Sequence, residues 1–203
     1  MRLLLLNGSV RGSHGNTASL LARAAARLPT DWQSDPIALA EYGGTIDALA
    51  ERLLGADAFL IGSGVYWGSW GSPLQRFLEL ISAHELSPVF LGKPAGAIVS
   101  ADSVGGLDVA QRLLGAFSLL GCFVPPLSSL VISRVGLEAT RADARANEDV
   151  WQLEDLGVVV RNLVLAQSAR SIAWSTWPVR QLNRAEGSFT APGMLEQGLE
   201  KFL

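Results

Sequence analysis

The chain has 203 residues, 49% of them apolar and 17% charged, with a net charge of −3. This suits one globular domain with a short extension and excludes a disordered chain; no run of five or six like charges marks a nucleic-acid footprint, and no run of about 18 apolar residues marks a membrane span. A single cysteine, Cys122, excludes an internal disulfide and a cysteine-built zinc site, which fits a reducing, cytoplasmic setting.

Leu3–Leu6 is a continuous apolar run that stops at Asn7-Gly8-Ser9. Four leucines are too few for the core of a secretion signal, and the run reads as a strand buried on both faces. Thr17–Leu28 places Leu20, Leu21, Ala24, Ala25 and Leu28 at helical spacing, with Pro29 as the stop. Gln33–Ile37 is a weak second strand. Thr45–Leu54 is a second helix with Ile46, Leu49, Leu53 and Leu54 as its apolar stripe. Ala58–Ile61 is the third strand and runs into Gly62-Ser63-Gly64. Ser72 is the expected N-cap of a third helix, with Pro73 first inside it and Leu74, Phe77, Leu78 and Ile81 on one face. His84 is placed to cap its end.

Ala95–Val99 is the fourth strand, followed by Ser100–Gly106 and a helix from about Leu107 to Leu120. Cys122–Val124 and Leu130–Ile132 read as two parts of a fifth strand interrupted by Pro125-Pro126, with Cys122 as a buried, inert thiol. After a polar linker a long helix is expected over roughly 148–170. Its stretch Val158–Leu165 is apolar almost all round, which suits a core or a subunit interface. The expected division is a domain over 1–172 and an arm over 173–203 that carries Trp174 and Trp177.

Strands alternating with helices predict an α/β fold: a doubly wound, five-stranded parallel sheet with helices on both faces. Ligands in such sheets sit beyond the carboxyl ends of the strands. The loops after strands one, three and four would share that edge, and these are the loops rich in glycine, serine and aromatic residues. The first, Gly8–Thr17, has three glycines for close backbone approach, a helix start for an anion, donors on Ser9, Ser13, Asn16 and Thr17, and the charge of Arg11. It lacks the Gly-Lys-Ser/Thr ending of a Walker loop and the Gly-x-Gly-x-x-Gly spacing of a dinucleotide fold. The second, Gly64–Leu74, offers Tyr66, Trp67 and Trp70 among glycines. The two tryptophans suit either a ligand wall or a buried aromatic cluster.

Gly-Ser-x-Arg-x-x-x-x-Asn-Thr resembles the phosphate loop of the NADPH-dependent FMN reductases, flavodoxin-like flavin, quinone and azo-dye reductases. The 64–74 loop resembles that family's Pro-x-Tyr-x-Gly-Ser segment, with Gly64 or Val65 in place of the proline and Gln75 where the next helix often has lysine. The resemblance covers roughly residues 1–135 and implies a sheet of order 2-1-3-4-5. By this resemblance Ser9, Arg11, Ser13 and Asn16 would hold an FMN phosphate. The family's serine falls near Ser13 or His14, and Gly15 and Thr17 complete the loop. Tyr66, Trp67, Gly68 and Ser69 would meet the flavin ring, as would Ser103, Gly105 and Gly106 of the third loop. NADPH or NADH would be co-substrate, a small molecule the electron acceptor, and a homodimer or homotetramer the assembly. No catalytic side chain, metal, nucleic acid or membrane is expected. The alternatives are a flavodoxin-type electron carrier, disfavoured by Arg11 and the modest charge, and a non-flavin α/β protein that binds another phosphate ligand.

Overall fold

Alternate leucines of the first strand are buried toward opposite layers, and this decides the architecture. The computed structural model describes residues 1–142 and 152–176. Strands β1 (Arg2–Asn7), β2 (Gln33–Ala38), β3 (Ala58–Gly64), β4 (Ala95–Ala101) and β5 (Ser129–Ser133) form one sheet of order β2-β1-β3-β4-β5, with every pairing parallel. Leu4 and Leu6 pack toward helices α2 (Ile46–Leu54), α3 (Ser72–Ile81) and α4 (Gly106–Leu119), through Leu49, Leu53, Phe77 and Phe117. Leu3 and Leu5 face the other layer, where α1 (Asn16–Ala25) contributes Leu20, Leu21 and Ala24, and α6 (Leu156–Leu165) contributes Leu156, Val159, Val160 and Leu163. The flavodoxin-like, doubly wound sheet is therefore as expected. No described helix is long and apolar enough to cross a membrane.

Several boundaries differ from the sequence expectations. The fifth strand is Ser129–Ser133 alone; the Cys122–Val124 stretch makes one isolated bridge, Pro94 to Phe123, because Pro125 and Pro126 have no N–H for a ladder. The expected linker contains a helix, α5 (Arg134–Ala142), whose first turns carry an Arg134–Glu138 ion pair four residues apart. The described part of the expected long helix is shorter. It consists of α6 flanked by 3₁₀ turns at Leu153–Asp155 and Ala166–Ser171, and residues 148–151 lie outside the described residues. A reciprocal pair of bonds between Gln152 and Asp155 sets its start. Val158 and Leu165 of α6 are exposed, so that helix is one-faced rather than buried all round. Gly71, not Ser72, is the N-cap of α3, which places Pro73 second in the helix, and Leu80 rather than Leu78 completes the buried face. His84 lies in a 3₁₀ turn with Nε2 3.9 Å from Asp47.

Cys122 is buried, and burial pushes its thiol well above the ordinary range, so it is the inert residue expected. Trp174 stacks on Phe123 with ring centroids 6.0 Å apart and donates its indole N–H to the Ala169 carbonyl. The start of the 173–203 arm is thus anchored to its own chain, while Trp177 and the rest of the arm lie outside the described residues.

Candidate functional site

The carboxyl ends of β1, β3 and β4 release their loops side by side, and hydrogen bonds join the first loop to the second and both to the end of β4. Ser9 Oγ lies 3.1 Å from the Tyr66 hydroxyl, linking the first loop to the second. Thr17 Oγ1 lies 3.1 Å from Ser100 Oγ, linking the first helix to the end of β4. The Val65 amide donates to the Ser100 carbonyl at 3.0 Å, tying the start of the second loop to the end of β4. The first two loops also touch through glycines: a Cβ on Gly71 would overlap the Gly8 carbonyl. The cleft between the loops is lined by Ser9, Arg11, Asn16, Thr17, Tyr66 and Ser100, and by the ion pair of Asp102 with Arg134.

The chemistry of this cleft favours an anion. No side chain caps the N-terminus of α1, so its first amides are free to point at a ligand. The Arg11 guanidinium is exposed and makes no ion pair among the described residues. A Cβ on Gly15 would come 3.0 Å from Arg11 Cβ and 3.5 Å from Ser9 Oγ, which would fill the cradle that the loop encloses. The residues present therefore fit a phosphate-bearing group.

Of the loop residues predicted from sequence, Ser9, Arg11, Asn16 and Thr17 line the cleft, but Ser13 does not. Its amide and its hydroxyl both donate to Glu41 Oε1, at 2.7 and 2.9 Å, and it lines the separate groove between α1 and β2. These two bonds hold the Glu41 carboxyl below the usual carboxylate range. His14 is exposed at the end of the 3₁₀ turn Gly12–His14, and Gly15 is the N-cap of α1. Sequence reasoning missed both Glu41 and the loop-spanning role of Asn7. Buried Asn7 accepts the Ser9 N–H through Oδ1 at 3.0 Å and donates to the Gly12 carbonyl through Nδ2 at 2.7 Å.

In the second loop, Tyr66 and Ser69 close a four-residue turn by bonding in both directions, at 2.8 and 3.0 Å. Its central residues Trp67 and Gly68 both have positive φ, at 51° and 75°. Arg112 of α4 braces this turn by donating to the Gly68 carbonyl, and its guanidinium lies 5.2 Å from the centre of the Trp70 ring. Trp70 packs partly against the core and donates to Gln75, whereas Trp67 is fully exposed. A bulky residue at positive φ is strained, and Trp67 buries nothing in return. Trp67→Asn, the residue such turns favour, is expected to raise the unfolding free energy by about 0.5–1 kcal/mol in denaturant titration. A clear loss of stability would show that the indole packs on something.

The third loop is fixed from β5. Ser133 Oγ donates to the Ser103 carbonyl at 3.0 Å, the Val135 amide donates to the Asp102 carbonyl at 3.0 Å, and Arg134 Nε donates to Asp102 Oδ1 at 2.6 Å. The Arg134 hydrogen bond and charge hold the Asp102 carboxyl below its ordinary range. Ser103 and Gly105 are exposed and are not among the residues that line the cleft. Gly105, at φ 84°, is the N-cap of α4, and Gly106 is buried against Val131. No cluster of three or more metal-ligating side chains occurs among the described residues.

The family described as NADPH-dependent FMN reductase matches residues 1–136, the part of the chain that holds all three loops. This protein belongs to the NADPH-dependent FMN reductase family. Solved structures agree in fold. RosB with a bound 8-demethyl-8-formylriboflavin-5′-phosphate is 16% identical, with 91% of this chain and 92% of that one covered and a TM-score of 0.66. The apo NADH:FMN oxidoreductase EMOB is 16% identical, covering 81% and 89%, at 0.63. A WrbA-like flavodoxin from Agrobacterium tumefaciens is 18% identical, covering 83% and 97%, at 0.58. At such identities the likeness is one of fold. No curated protein matches the chain.

Proposed function

We propose that this member of the FMN reductase family holds FMN in the three-loop cleft and uses NADPH or NADH to reduce a small acceptor such as free flavin, a quinone or an azo compound. The observation that carries this reading is the uncapped N-terminus of α1 beside an Arg11 with no ion pair among the described residues, in a cleft cross-linked to an aromatic second loop. When bound, FMN supplies the hydride and electron-transfer chemistry; the protein supplies position and electrostatics. The α1 amides, Ser9, Arg11, Asn16 and Thr17 hold the phosphate. Tyr66, Trp67, Gly68 and Ser69 on one side, and Ser103, Gly105 and Gly106 on the other, border the ring. Backbone amides of these loops stabilise negative charge on the ring's polar edge.

A homodimer or homotetramer belongs to the same proposal and is supported by the exposed Val158 and Leu165 of α6. A cytoplasmic setting is supported by a single cysteine that is buried and unpaired.

The test is the visible spectrum of the purified protein with FMN, before and after anaerobic NADPH or NADH. A bound-flavin spectrum bleached by either nucleotide is the expected result. A bound flavin that neither bleaches would make the protein an electron carrier, and no flavin binding would overturn the assignment.

A further inference from the structure

The phosphate loop carries a negative charge of its own, fixed at its far end. Glu41 ends the 3₁₀ turn Leu39–Glu41 that follows β2, and it reaches the tip of the first loop, 28 residues earlier in the chain. Its Oε1 accepts both the amide and the hydroxyl of Ser13. The backbone makes room for this: Gly12 sits at φ 54°, and a Cβ there would overlap Glu41 Oε1. At the near end, Asn7 clamps Ser9 to Gly12, and the Gly8 amide donates to the Gly62 carbonyl at 2.8 Å. The loop is therefore pinned at both ends by the protein, with its free donors directed elsewhere.

We infer that Glu41 is a positioning residue for the phosphate loop: by taking both Ser13 donors on the side away from the cleft, it fixes the loop so that Ser9, Arg11, Asn16 and the α1 amides face a phosphate before one arrives. The inference rests on the reading that this cleft holds FMN. It reassigns Ser13, which serves the loop rather than the ligand. The depressed carboxyl of Glu41 agrees, since both bonds require its charged or acceptor form.

The sign of the effect tests the idea. A carboxylate near an anion site repels the anion, so if Glu41 were merely a nearby charge, removing it would tighten phosphate binding. As a positioning residue its removal loosens binding, because the loop must then be ordered by the ligand itself. The experiment compares wild type, Glu41→Ala and Glu41→Gln by fluorescence titration with FMN and with riboflavin, which lacks the phosphate, and by thermal unfolding. Glu41→Ala is expected to raise the FMN dissociation constant about tenfold or more and to leave riboflavin binding within about twofold, the loss being that of the two hydrogen bonds that order the loop. Glu41→Gln keeps an acceptor at the same reach without the charge, and is expected to restore FMN binding to within about threefold of wild type.

Equal or tighter FMN binding by Glu41→Ala would overturn the inference while leaving the FMN reading intact. Equal weakening toward riboflavin and FMN would also overturn it, since that is the mark of general damage. Should Glu41→Ala fail to fold, Glu41→Gln decides: FMN binding weakened beyond threefold means the charge rather than the geometry matters, and the inference falls. A wild-type protein that ignores FMN would remove the reading and this inference together.

Discussion

Arg11→Ala is expected to raise the FMN dissociation constant about 10- to 100-fold, with riboflavin binding and the melting temperature unchanged. The magnitude is that of charge-assisted hydrogen bonds to a phosphate, which carry about 1.5–3 kcal/mol each. The selectivity follows from where the residue sits. Its side chain is exposed and makes no ion pair among the described residues, so nothing in the fold depends on it. Its backbone belongs to the loop, where the Arg11 amide donates to Ser9 Oγ at 3.3 Å, and alanine retains that bond. Arg11→Lys would keep the charge but lose the planar fork, and should fall between the two. Fluorescence titration of FMN and riboflavin against each variant checks this. An unchanged FMN affinity would show that the phosphate is held elsewhere.

Lys93→Met is expected to lower the unfolding free energy by about 2–4 kcal/mol and the melting temperature by about 5–15 °C, although residue 93 is remote from the cleft. Lys93 is 2% exposed. Its Nζ donates to the Leu53 and Leu54 carbonyls at 2.8 and 2.9 Å, and lies 5.5 Å from the centre of the Phe59 ring. Those carbonyls belong to the last turn of α2, where the Leu53 carbonyl also accepts the Ala56 N–H at 3.1 Å and a cation complements the helix dipole. Methionine fills the volume but leaves the Leu54 carbonyl without its donor and the Leu53 carbonyl with the Ala56 N–H but no ammonium.

A pH dependence accompanies this. Burial, reinforced by the Arg170 charge and opposed by Cys122 and Asp57, pushes the Lys93 ammonium down to about 8 from its ordinary 10.5. Between those values the unfolded chain holds a proton that the folded chain has released, so this group makes stability rise with pH. Its contribution is complete above about 10.5 and is lost as pH falls to about 8, a span worth up to about 3 kcal/mol. The stability gap between wild type and Lys93→Met should therefore widen from pH 8 to pH 10. Denaturant titrations across that range measure it, and a constant gap would place the titration of Lys93 elsewhere.

Lys93 and Glu41 show what a single sequence conceals. Neither stands in a motif, and both act across tens of residues on a backbone atom whose position only the folded chain defines. The helix α5 was hidden for a different reason: Arg134–Ala142 is short, mostly polar and carries Gly136 in its first turn, so it reads as part of a polar linker. Conversely, Cys122–Val124 looked like a strand because it is apolar, yet the two prolines after it deny it a ladder.

The sequence by itself determined the class of the fold and the address of the cleft. Leu3–Leu6, Ala58–Ile61 and Ala95–Val99 are continuous apolar runs, which only a sheet covered on both faces can bury. With right-handed crossovers, the loops after β1, β3 and β4 then had to emerge at one edge, and glycine, serine and aromatic residues cluster in those loops. Tertiary structure alone decided which of those residues face one another. Ser9 meets Tyr66, and Thr17 meets Ser100. Ser13 turns its back on the cleft because a carboxylate from beyond β2 offers its two donors a better partner than water. Periodicity tells which face of an element is buried; hydrogen-bond partners distant in sequence are set by how the layers close.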